Sequence, residues 1–300
     1  MKNINDLVKI LKSILNHPFN KEQKTKSVIR FLKWQISASL NKYTVIYPVT
    51  KNAVMIAEKG MTGITGCIYS GLLEFEEMLF ALHFLRADDL FVDVGANVGI
   101  YTILASGEIG ATTISVEPIK KTFDTLNMNI KINNIESRVR LLNIGLGSTE
   151  GELIFTTNEE SVNHVVSDFE SKLEIETAKV KINTLDNICA NRKPNLVKID
   201  VEGYETNVIH GAKDILESPE LKAIIIELNG SGSRYGFNEK DIHEKIISHG
   251  FSCFAYEPYS RNLIPMKTFG SNNTIYLRDL EFIKSRITCA PKVSIINQEI

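Results

Sequence analysis

The stretch Leu90-Phe91-Val92-Asp93-Val94-Gly95-Ala96-Asn97-Val98-Gly99 decides how this chain folds. Its first half is a short apolar run, the pattern of a strand buried on both faces. Its second half is a glycine turn, and the residues behind it predict a helix over Gly99–Ser106. A strand that feeds a helix through a glycine loop is the opening unit of a doubly wound parallel sheet. Ligands of such sheets sit at the carboxyl ends of the strands, where the strand order reverses. The loop Asp93–Gly99 is therefore the first candidate site.

Working toward the C-terminus, the alternation continues. Thr112–Val116, Val139–Ile144, Leu196–Ile199 and Ala223–Glu227 read as strands; Phe123–Asn133 and Glu205–Leu216 read as helices. Residues 151–186 interrupt the rhythm with two strand-like runs, Glu152–Thr157 and Lys179–Leu185, which predict an insertion above the sheet. Phe251–Tyr256 and Asn273–Leu277 are joined by a loop too short for a crossover helix, so they should pair antiparallel. Working toward the N-terminus, Glu74–Leu85 reads as a helix and Tyr43–Tyr69 as a small hairpin or meander. Residues 1–40 carry apolar residues at helical spacing on either side of Pro18, which predicts two helices. The expected division is an N-terminal extension over residues 1–80, an α/β domain over 81–280 and a tail over 281–300.

The totals narrow the function. The formal net charge of the 300 residues is −2, so no basic field invites nucleic acid. Cys67, Cys189, Cys253 and Cys289 form no CxxC pair, which argues against a zinc site and fits a reducing, cytoplasmic setting. No apolar run approaches a membrane span, and the start Met1-Lys2-Asn3-Ile4-Asn5-Asp6 lacks the pattern of a signal peptide. The first helices are basic, with Lys2, Lys9, Lys12, Lys21, Lys24, Lys26, Arg30 and Lys33 against Asp6 and Glu22. A solvated face explains this, as does peripheral contact with an anionic lipid or substrate.

The glycine loop carries the chemistry. Gly95 permits a sharp turn and close backbone approach to a ligand, and Gly99 stands where the helix begins. Asn97 occupies the place where a dinucleotide fingerprint needs its second glycine, so a pyrophosphate fits poorly. S-adenosylmethionine has no phosphate. Asp93 would anchor its ammonium, and the amides of the loop through Ala96 and Asn97 would meet its carboxylate. Glu117, 22 positions after Gly95 at the end of the second strand, would accept hydrogen bonds from the ribose hydroxyls, with Pro118 behind it.

These residues resemble the FkbM-type methyltransferase family. The resemblance runs from about Ile68 to Tyr276. It is carried by Phe91–Thr102, Val116-Glu117-Pro118, Asn143-Ile144-Gly145-Leu146-Gly147 and Thr184-Leu185-Asp186. Its most specific part is Lys198-Ile199-Asp200-Val201-Glu202-Gly203-Tyr204-Glu205, followed by His210-Gly211-Ala212. It implies a class I methyltransferase fold, Rossmann-like, with a seven-stranded, mostly parallel sheet whose last strand is antiparallel. It also implies O-methylation, commonly of a sugar or polyketide hydroxyl.

A methyl displacement needs alignment of the reacting atoms and removal of the hydroxyl proton. Asp200 ends the fourth strand beside the glycine loop, and Glu202 follows it; both are candidates for the chemistry, as is His164 in the insertion. Asn143 is a further cofactor candidate. Asn163, Asn229, Tyr259 and Arg261 are candidates for the acceptor, a saccharide or another hydroxyl-bearing molecule. Asp200, Glu227 and Asn229 offer oxygen atoms to a hard cation, but no motif supports this and no metal is expected. Two other functions fit the same fold: a nicotinamide-dependent oxidoreductase and a non-catalytic cofactor-binding protein.

Overall fold

The computed structural model describes residues 4–40, 43–158, 162–167 and 169–300. Lys2, the side chain of Asp6 and the Ser161 that opens Ser161–Val165 lie outside these residues. The chain begins with helices α1 (Ile4–Asn16) and α2 (Lys24–Leu40), separated by a single 3-10 turn at Pro18–Asn20. Strands β1 (Val45–Pro48) and β2 (Val54–Ala57) form a hairpin. The predicted meander ends there, because Thr62–Ser70 is helix α3. Its buried residues Ile64, Cys67 and Ile68 repeat at three and four, the period of a helix, despite Gly63 and Gly66. Helix α4 (Phe75–Phe84) follows, with eight of its ten residues buried.

The central sheet begins with β3 (Leu90–Val94), every residue of which is buried. It gains β4 (Thr112–Val116) and β5 (Val139–Leu142), with helix α5 (Ile100–Ile103), a wider turn over Leu104–Ile109 and helix α6 (Lys120–Ile132) as crossovers. Next come a short strand β6 (Gly145–Leu146) and strands β7 (Gly151–Thr156) and β8 (Thr177–Asn183), which form a separate three-stranded sheet from the insertion. The chain returns to the centre through α7 (Leu185–Cys189) and β9 (Leu196–Ile199). It continues with α8 (Glu205–His210), α9 (Lys213–Glu217), β10 (Ala223–Glu227) and α10 (Glu239–Ser248). Strands β11 (Ser252–Glu257), β12 (Asn262–Pro265) and β13 (Asn273–Leu277) complete the sheet. Helix α11 (Leu280–Cys289) and a final hairpin lay Ile283, Ile287, Val293 and Ile295 on the same core as α4.

The strand order is β12-β11-β13-β10-β9-β3-β4-β5. From β5 to β10 all neighbours are parallel, and β13 enters antiparallel between β10 and β11. The sheet thus has the class I methyltransferase arrangement, with eight strands where seven are expected. The extra one, β12, is an edge strand with one half-buried residue and a terminal proline, so it lacks the apolar alternation of an inner strand. The helix expected over Glu205–Leu216 is also broken in two. A Cβ on Gly211 would stand 2.1 Å from the carbonyl oxygen of Gly147, so the chain bends at this close crossing.

Among the described residues no helix is long and apolar enough to cross a membrane. Cys67, Cys189 and Cys253 are buried and unpaired, and Cys289 is exposed.

Candidate active site

The reversal of strand order falls at β3, with β4 on one side and β9 on the other. Their carboxyl ends are locked together. Asp93 stands opposite Lys198 and Val94 opposite Ile199 in register, and the N–H of Asp200 donates to the Val94 carbonyl at 3.0 Å. Gly95 has φ +78°, and a Cβ there would lie 1.7 Å from the Asp200 carbonyl oxygen. Only glycine allows this crossing. The N–H groups of Gly95 and Ala96 both donate to the Val116 carbonyl, which ties the loop to β4 as well.

The loop and the two strand ends open onto a cavity of about 250 Å³. Toward β4 its wall is Asp93, Gly95, Ala96, Asn97, Glu117 and Pro118. Its wall also includes Glu74, Tyr101, Lys198, Asp200, Glu202 and, at the end of β10, Glu227. Thr62 and Gly63, at the start of α3, line both this cavity and an adjoining one.

Carboxylates dominate the electrostatics. Asp93 is 2% exposed; burial pushes it up to about 6, against the pull of a 2.6 Å hydrogen bond from the Thr102 hydroxyl. Burial likewise pushes Glu117 up to about 7, although its two oxygens accept from the N–H groups of Ile119 (2.8 Å) and Asn97 (3.0 Å). Lys198 is almost fully buried, donates to Asp200 Oδ2 at 2.9 Å, and lies 5.3 Å from the Tyr101 ring centre. Burial would lower its pKa, but the negative charges of Asp200 and Glu74 outweigh this and hold it above the usual lysine range. Tyr101 in turn donates its hydroxyl proton to Glu74.

Asp200, Glu202 and Glu227 each bring a carboxylate oxygen within 4.8 Å of the others. Carboxylates this close share protons or take up a cation. Glu202 is pushed up to about 7 by burial and then by the charge of Asp200, and Glu227 is raised for the same two reasons. Glu202 also has φ +54°, in the left-handed region. Its strained turn is clasped by Glu205, whose Oε1 accepts from the N–H groups of Val201 (3.0 Å) and Gly203 (3.2 Å).

The structure brings nine of the predicted site residues to the cavity: Asp93, Gly95, Ala96, Asn97, Glu117, Pro118, Asn163, Asp200 and Glu202. Six lie elsewhere. Gly99 packs under Leu126, where a Cβ would meet the leucine at 2.3 Å. Asn143 donates its side-chain amide to the carbonyls of Glu117 (2.8 Å) and Pro118 (2.9 Å), so it braces the loop from behind. His164 is 2% exposed, and its ring nitrogens face the Val162 carbonyl (2.8 Å) and Glu170 (2.9 Å), so it staples the insertion and does not line the cavity. Asn229 caps the turn after β10 through the N–H of Ser231. Tyr259 packs on Phe75, and Arg261 donates to the carbonyls of Ile287 and Thr288 at the end of α11. Sequence reasoning passed over Lys198, Glu74 and Tyr101. A lysine inside the run Leu-Val-Lys-Ile is a visible signal, because charge in a buried strand needs a partner. Glu74 and Tyr101 give no such signal, since their contact is made only by the fold.

Residues 93–253 match the methyltransferase FkbM domain. Over 163 residues the chain is 32% identical to the hexuronic acid methyltransferase AglP of Haloferax volcanii, covering 54% of this chain and 62% of that protein. Over 153 residues it is 30% identical to methyltransferase 1 of Beauveria bassiana, covering 42% of this chain and 59% of that protein. The alignments thus span about 60% of the length of these relatives. A crystal structure of methyltransferase FkbM from Methylobacillus flagellatus superposes with a TM-score of 0.45 at 15% identity, covering 72% of this chain and 53% of that one.

Proposed function

The chain belongs to the FkbM methyltransferase family, and from that premise we propose that it methylates a hydroxyl of a saccharide or glycan-like acceptor with S-adenosylmethionine. The observation that carries the reading is the buried Glu117, held by two backbone N–H groups on the wall of the cavity that Asp93 and Asp200 also line. A carboxylate has about four lone-pair positions, so Glu117 retains acceptor capacity for two ribose hydroxyls. Asp93 supports the same ligand, because an ammonium beside it would relieve the desolvation that raises its pKa. An excess of carboxylates over the single Lys198 suits a molecule that carries positive charge. S-adenosylmethionine, when bound, supplies a methyl carbon made electrophilic by its sulfonium.

The residues of the chain do the rest. The Gly95–Asp200 crossing sets the acceptor-side carboxylates against the cofactor loop. Lys198 orients Asp200 through its 2.9 Å hydrogen bond. Glu202 is the proton acceptor, because a base works best when its pKa lies near the working pH. Burial and then the charges of Asp200 and Glu205 raise that pKa, and Asn163 and the start of α3 border the acceptor. The sugar class rests on the relative named for a hexuronic acid.

Isothermal titration with S-adenosylhomocysteine tests the cofactor. Binding that weakens sharply in Glu117→Ala supports the reading; absence of binding to the wild-type chain overturns it. Transfer of a labelled methyl group to uronic acids, neutral glycosides and their lipid-linked forms then tests the acceptor. Binding without transfer to any hydroxyl would make the chain a cofactor-binding protein.

A further inference from the structure

Helix α2 has two apolar faces, and folding uses only one. Phe31 and Trp34 are buried, with Ser27 beside them, and Ala38 packs on the same core. This face is held down by an edge contact between Phe31 and Tyr69 at 5.1 Å and by Arg30, which donates to the Tyr69 carbonyl at 2.8 Å. Ile29, Leu32, Ile36 and Leu40 form the second face, and they are 45%, 50%, 58% and 77% exposed. At 3.6 residues per turn the two faces point roughly 180° apart. The second is a ridge of four large aliphatic side chains with nothing upon it among the described residues.

The charge around the ridge indicates what covers it. Residues 1–40 carry eight basic and two acidic side chains, a balance of +6, whereas the remaining 260 residues sum to −8. Lys26 and Lys33 border the ridge, and Lys9 and Lys12 are exposed on α1, which packs against α2. Among the described residues none of these four lysines is ion-paired. If two copies of the chain met ridge to ridge, the bordering lysines of both would be brought together. A bilayer with anionic headgroups satisfies both features, taking the aliphatic ridge into its acyl boundary and the ammonium groups among its phosphates.

We infer that α2 docks the protein on an anionic membrane surface. The placement bears on the active site. Helix α3, against which α2 packs, begins at Thr62 and Gly63 on the cavity wall and ends at the Tyr69–Ser70 anchor under α2. Its nine residues span about 13 Å, so α3 connects the cavity rim to the buried face of α2, opposite the docked ridge.

Sedimentation of the full chain with mixed phosphatidylglycerol–phosphatidylcholine vesicles, beside phosphatidylcholine vesicles alone, tests this. The wild-type chain should partition onto the anionic vesicles, and added salt should release it. Leu32→Glu with Ile36→Glu, and separately Lys26→Glu with Lys33→Glu, should each weaken partitioning roughly tenfold or more. Circular dichroism and S-adenosylhomocysteine titration of the same variants report whether the fold is intact. Failure of the wild-type chain to bind anionic vesicles overturns the inference. So does equal binding by folded variants, or a dimer in light scattering that the Leu32/Ile36 change dissolves while vesicles bind nothing.

Discussion

At the scale of one residue, the proposed chemistry turns on Glu202. It sits in a left-handed backbone conformation, beside Asp200, in a desolvated wall. If it takes the hydroxyl proton, turnover should climb with pH through about 7, as its carboxyl group ionises. Glu202→Gln should lose about a hundredfold or more in turnover and lose that rise, with S-adenosylhomocysteine affinity little changed. A pH–rate profile of both proteins checks this; an unaltered profile in the variant moves the role to Asp200 or Glu227. At Gly95 the expectation is the reverse. Gly95→Ala places a methyl group on the Asp200 carbonyl, so calorimetry should find cofactor affinity lost along with activity. His164→Ala should lower the melting temperature through the loss of its bond to Glu170, and the protein that remains folded should keep its turnover. Preserved stability with lost turnover would restore the histidine to the chemistry.

Among the elements, the loop after β9 owes its shape to Glu205, and the bend after α8 owes its shape to Gly211. Gly211→Ala should cost about 1–3 kcal/mol of stability, since the new methyl group meets backbone rather than a side chain that can turn away. Denaturant titration measures this, and a loss well below that range would mean the crossing can relax. The same elements show what a sequence conveys. Strands β3, β4, β9, β10 and β13 were legible to the residue, because buried strands between turns have few alternatives. Edge strand β12 was illegible, since one inward residue makes no pattern. At the candidate site, Gly95 was legible because the turn demands glycine, and its cavity neighbours Asp93, Ala96, Asn97 and Glu117 because they stand at the ends of legible strands. Asn229, Tyr259 and Arg261 follow strand ends, as site residues do, but their side chains meet a local turn, the Phe75 ring and a helix end respectively, away from the cavity. Sequence position alone does not separate the two uses.

At the scale of the whole molecule, the clustered carboxylates make stability depend on pH. Glu117, Glu202 and Glu205 are all raised to about 7 in the folded state, so each holds a proton there that the unfolded chain releases at lower pH. Their contribution is therefore complete below the unfolded carboxyl range and is lost as pH rises through 7. His83, lowered to about 4 by burial, acts oppositely, and its cost appears as pH falls from 6.5 toward 4. The melting temperature should consequently rise between pH 8 and 6.5, and Glu117→Gln should reduce that slope. A flat profile over this interval would mean that these carboxyl groups remain solvated. The crossing at Gly95 has a wider consequence. No gap exists there between the glycine loop and the end of β9, because the Asp200 carbonyl occupies the space of a side chain. The loop after β3 and the end of β9 are thus held as one unit. On the proposed function, differences in acceptor would come from the other parts of the cavity wall, the β7–β8 insertion and the α3–α4 segment. Grafting those two segments between relatives should exchange acceptor preference while leaving the affinity for S-adenosylhomocysteine where it was.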